Sequence, residues 1–83
     1  MLTEEELNEE MAKALEAEDL EYCIALLKRG AGVNARKINL SYNHVAIALR
    51  HYVNTHDTHY KARTNTWHLD RDSRGFEHYD TKD

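Results

Sequence analysis

With 83 residues the chain is long enough for one domain but not for a large core, so that core must be compact or shared. An apolar fraction of 41% beside a charged fraction of 31% excludes a disordered chain. The longest apolar runs, CIALL (23–27) and VAIAL (45–49), exclude a membrane-spanning helix, which needs about 20 apolar residues.

The net charge of −4 is unevenly spread: residues 1–27 hold nine acids and one base, whereas residues 28–83 hold ten bases, six acids and all six histidines. A chain so divided predicts either an interaction surface or two halves that attract each other once folded. Its acidic beginning, MLTEEELNEE, lacks the basic start and apolar stretch of a secretory signal. The single Cys23 cannot close an internal disulfide, which fits a reducing, cytoplasmic setting.

Thr3 followed by Glu6 has the pattern of a capping box, and the acids behind it suit the positive end of a helix dipole. A first helix is therefore expected from Thr3, with Leu7, Met11, Ala14 and Leu15 at helical spacing and Glu5, Glu9, Lys13 and Glu16 left for water. The phase changes near Glu18, and Asp19 is the expected N-cap of a second helix carrying Leu20, Cys23, Ile24 and Leu27 on one stripe. The two should form an antiparallel hairpin. Gly30 follows the basic pair Lys28 and Arg29, as a left-handed residue often follows the end of a helix.

A third helix is expected from Ser41 as N-cap to about Asn54, in the span 38–55, with Tyr42, Val45, Ala48, Leu49, Tyr52 and Val53 on one face. Val33, Ile38 and Leu40 in the preceding connection would close the bottom of the core. Beyond it the chain turns polar. There YKARTNTWHL and FEHYD flank the turn-forming DRDSRG, which predicts a β-hairpin. A third helix continuing past His59, or a tail that orders against a partner, are the alternatives for residues 56–83. The expected fold is mainly α, a three-helix core with a small C-terminal β-hairpin or tail.

Residues 11–37, MAKALEAEDLEYCIALLKRGAGVNARK, resemble one ankyrin repeat. The match is best at LEYCIALLKRGAGVNA (20–35), which looks like that repeat's second helix and its Gly-Ala-Asp-Val-Asn-Ala turn, with Gly32 in the place of the aspartate. SYNHVAIA (41–48) is similar to the Thr-Pro-Leu-His-Leu-Ala-Ala start of a following repeat. Glu18 stands where the family has an inter-helix glycine. The resemblance implies that Ser41 and His44 are structural, joined in hydrogen bonds at a helix start. It also implies protein binding without catalysis, through turn tips and an inner helix face that here present Arg29, Arg36, Lys37 and neighbouring residues of the first helix. A single repeat cannot cover its own apolar face, since arrays need about three units. The third helix, the C-terminal extension or a second copy of the chain in a homodimer must cover it.

Catalytic motifs are absent from the sequence: it has no phosphate loop, zinc-protease motif, paired cysteines or nucleophile elbow. Cys23 on an apolar stripe reads as packing. His44 and His51 lie about 10 Å apart along a helix, too far to share a metal. His56 and His59 could share one, completed by His68 or His78, or simply be exposed or hydrogen-bonded, or make an interface sensitive to mild acid. No metal and no cofactor are expected.

Residues 28–63 carry Lys28, Arg29, Arg36, Lys37, Arg50, Lys61 and Arg63 against Asp57 alone, with Tyr42, Tyr52 and Tyr60 interleaved, which is suitable chemistry for nucleic acid. The acidic total and the lack of a recognition motif oppose that reading. The expected function is thus a non-catalytic adaptor or inhibitor that occupies a partner protein's surface, with nucleic-acid binding as the alternative. Tyr60, Trp67 and Phe76 are its candidate anchors, unless Trp67 and Phe76 only cover the open edge of the core.

Overall fold

A computed structural model describes residues 2–40 and 42–70. In chain order these form α1 (Glu4–Glu16), α2 (Leu20–Arg29), β1 (Val33–Asn34), α3 (Ala35–Leu40), α4 (His44–Thr55), β2 (Thr58–Lys61) and β3 (Thr66–Leu69). The fold is mainly α with a small antiparallel sheet. No helix among the described residues is long and apolar enough to cross a membrane.

The capping box of α1 forms as its sequence predicts. The Glu6 N–H donates to Thr3 Oγ1 at 3.1 Å, and the Thr3 N–H donates to Glu6 Oε1 at 2.9 Å. α1 ends with the Glu18 N–H on the Leu15 carbonyl and the Asp19 N–H on the Ala14 carbonyl. α2 ends in the same way, with the Gly30 and Ala31 N–H groups on the Leu27 and Leu26 carbonyls. Both are Schellman motifs, and both hold a residue just past the helix at positive φ, 59° for Glu18 and 109° for Gly30. Asp19 caps α2 by accepting the Tyr22 N–H at 3.2 Å. The two helices pack as a hairpin, held across their open side by the Tyr22 hydroxyl on Glu10.

The connection after the hairpin is helical. Asn34 accepts the Lys37 N–H at 3.0 Å and so caps the six-residue α3. Ile38 is buried there as expected, but Leu40 is exposed and does not close the core. The expected N-cap at Ser41 is also corrected. Ser41 lies outside the described residues, and it is Asn43 that accepts the Ala46 N–H, at 2.7 Å, so the helix begins at His44. This later start leaves Tyr42 out of the helix and 90% exposed. The buried stripe is Val45, Ala46, Leu49 and Val53, with Ala46 in the place expected of Ala48.

The β-hairpin exists, though not around the expected turn. Both arms lie N-terminal to DRDSRG, with residues 62–65 as the turn and Asn65 at φ 55°. Asparagine tolerates that left-handed position, so the turn sits inside the segment YKARTNTWHL, which was expected to be a single arm. FEHYD lies outside the described residues. β3 is the central strand of the order β1-β3-β2, pairing Val33 with Trp67 and Tyr60 with Trp67 on its two sides. The Ala35 N–H also donates to the Asn65 carbonyl at 2.9 Å, fastening the turn to the start of α3.

The core lies between the helical hairpin, α4 and the sheet. Met11, Cys23, Leu26, Leu27, Val33, Val45, Leu49 and Leu69 are fully enclosed in it.

Candidate functional site

α3 and α4 pack together and send Ala35, Ile38, Val45, Ala46 and Leu49 inward. Helical spacing then leaves Arg36, Lys37 and Leu40 on α3, and Ile47 and His51 on α4, toward solvent, with Tyr42 on the bridge between them. Tyr42 is 90% exposed, Leu40 62% and Ile47 45%. Isolated apolar side chains are ordinary on a surface, but three large ones within residues 40–47 of so small a domain are not. The charge around them has one sign. Residues 28–56 contain five bases and no acid, and Glu18 lies 4.0 Å from His44 Nδ1.

Of the predicted protein-binding residues, Arg29, Arg36 and Lys37 are exposed around this corner and at the end of α2. Tyr60 and Trp67 lie instead on the hairpin, their rings 5.2 Å apart. The Tyr60 hydroxyl donates to Asn65, and Trp67 packs half-buried against the core. Trp67 therefore covers the core edge, and Phe76 lies outside the described residues. The basic set is also divided. Lys61 is held by Glu4 at 2.8 Å, which keeps the Glu4 carboxyl below the usual range, while Arg63 sits exposed in the hairpin turn.

Of the candidate histidines, His59 and His68 come together, their rings stacked at 5.6 Å. His44 is exposed, with its Nδ1 4.0 Å from Glu18, and Ser41, its expected partner, lies outside the described residues. His56 stacks on Tyr52 at 3.9 Å, and His59 meets Asp70 at 2.7 Å. His78 lies outside the described residues. Among the described residues no three His, Cys, Asp or Glu side chains gather in a way that could hold a metal ion. Burial pushes the Cys23 thiol up to about 11, which leaves it protonated and unreactive near neutral pH.

A second feature is an open cleft of about 560 Å³ between α1 and the start of the sheet. Glu5, Asn8, Glu9 and Ala12 form one wall, and Gly32, Asn34, Lys37 and Thr64 the other. The Gly32 N–H donates to Asn8 Oδ1 at 2.6 Å across its floor.

Neither surface leads to a relative. No family model, curated protein or solved structure matches the chain.

Beside the cleft lies a polar cluster that sequence reasoning overlooked. His68 is 2% exposed. Its Nδ1 is 3.1 Å from the Gly30 carbonyl and its Nε2 2.8 Å from Thr66 Oγ1, itself 2.6 Å from Thr64 Oγ1. A carbonyl only accepts, so Nδ1 carries the hydrogen and Nε2 of the neutral ring accepts from Thr66. Gly32 is required here by space: a β-carbon would run into the His68 ring. The sequence signal was the spacing Thr66–x–His68, which puts both side chains on one face of a strand.

Proposed function

We propose that this protein is a non-catalytic protein-binding module, an adaptor or inhibitor, whose α3–α4 corner docks onto an acidic apolar surface of a partner. The observation that carries this reading is the exposed set Tyr42, Leu40 and Ile47 in a stretch whose formal charges are all basic. Burial of these side chains would supply affinity, and Arg36, Lys37 and Arg50 would select and orient a carboxylate-bearing partner. The mechanism is occupation of that surface. The ankyrin resemblance of residues 11–37 supports the same class of function and adds Arg29 at the turn tip.

The test is affinity capture from a lysate of the native source, with and without nuclease, using the wild type and Tyr42→Ala. Tyr42 is so exposed that its truncation should leave the melting curve unchanged. One stoichiometric protein that survives nuclease and is lost with Tyr42→Ala is the expected result. Retention that vanishes with nuclease would transfer the corner to nucleic acid, with Lys28, Arg29, Arg36, Lys37 and Arg50 as its phosphate contacts.

A further inference from the structure

We propose that His68 is an acid-release latch: as a neutral ring it ties the turn after α2 to strand β3, and its protonation in mild acid loosens the sheet from the helical hairpin.

The latch is built from separate parts of the chain. The C-cap of α2 contributes the Gly30 carbonyl, the following turn the Gly32 backbone under the ring and β3 the Thr66 hydroxyl, while the Glu4 carboxylate of α1, 3.4 Å from Nε2, makes no bond to the neutral ring. The neutral ring satisfies its close partners, giving its one hydrogen to Gly30 and taking one from Thr66. A proton added at Nε2 turns that acceptor into a donor. The Thr66 and Thr64 hydroxyls must then rotate, and the charge arrives in a site closed to water.

The neighbouring charges oppose that proton more than they help it. β2 presents Lys61 and His59, whose ring stacks on His68 at 5.6 Å and is paired with Asp70 on its far side. Among the described residues Glu4 is the carboxylate within reach, but it is already engaged by Lys61 at 2.8 Å and lies in the field of Arg63. A protonated His68 would have to draw Glu4 from Lys61, and so weaken the contact that joins α1 to β2.

Burial lowers the proton affinity of His68 from its ordinary value of 6.5, outweighing the Gly30 bond that raises it. The sign of the linkage follows. Above pH 6.5 both folded and unfolded chains hold the ring neutral and the latch is intact. Below it the unfolded chain gains a proton that the folded one resists, so stability falls as the pH falls.

The test is urea unfolding of the full chain and of His68→Gln at pH 7.5 and pH 5. The other five histidines are common to both proteins and cancel in the comparison. Relative to the variant, the wild-type ratio of folded to unfolded chain should drop by up to about 30-fold over this interval, the limit for a histidine protonated only when unfolded. Parallel behaviour of the two proteins would overturn the proposal.

Should His68→Gln fail to fold, imidazole nitrogen NMR of the wild type decides. The expected result is the Nδ1–H tautomer at pH 7.5, followed on acidification by movement of the Gly30, Gly32 and Thr66 amides together with the ring. An Nε2–H tautomer, or a ring that titrates without those amides, would refute the latch.

Discussion

Glu18 and Gly30 occupy the same place at the ends of two successive helices, yet one is a glycine and the other carries a side chain. Each makes the same pair of backbone hydrogen bonds at positive φ, a conformation that costs an L-residue about 1 kcal/mol or more. Glycine adopts it freely but loses more chain entropy on folding, by about 0.5–1 kcal/mol. Glu18→Gly should therefore stabilise the protein by about 0.5 kcal/mol, read as a rise of about 2–4 °C in Tm. A fall in Tm would show that the 4.0 Å contact of Glu18 with His44 outweighs the relief of strain. Gly32 is the opposite case, held to glycine by the His68 ring rather than by its backbone angles.

The helices were legible in the sequence where local chemistry was complete. Thr3, Asp19 and Gly30 each carry a cap whose partners lie within a few residues; the stripe of α1 is buried as its spacing predicts, whereas on α2 the buried set is Cys23, Leu26 and Leu27, with Leu20 and Ile24 of the expected stripe only partly buried. Residues 35–46 were not legible, because two polar residues compete there for one role. Serine and asparagine are nearly equal as N-caps, and only the insertion of α3 decides that Asn43 takes the cap of α4. Removing that cap with Asn43→Ala should cost about 1 kcal/mol, measured as a lower urea midpoint with an unchanged slope. An unaltered midpoint would mean that α4 is held by its packing alone. The β-hairpin was foreseen as an element but placed too late in the chain, since the turn residues of DRDSRG looked stronger than Asn65. The exposed corner was hidden for a related reason: Tyr42 fits an apolar stripe, and Leu40 a core-closing connection, that the actual helix boundaries break.

At the scale of the whole molecule, Lys61 and Glu4 bridge the charge division within the sequence, and exposed acids on α1 and α2 stand against exposed bases on α3. The strand order β1-β3-β2 adds a different property. Among these three strands the last to be synthesised is the one in the middle, and it brings Trp67, His68 and Leu69 against helices made long before. Until residues 66–69 have left the ribosome, β1 and β2 lack the partner they share and the hairpin of α1 and α2 has an open flank. Completion of this fold thus waits for its last strand. A chain stopped at residue 65 should melt without a cooperative transition, and a sharp transition in that fragment would show that the helices hold together without the sheet.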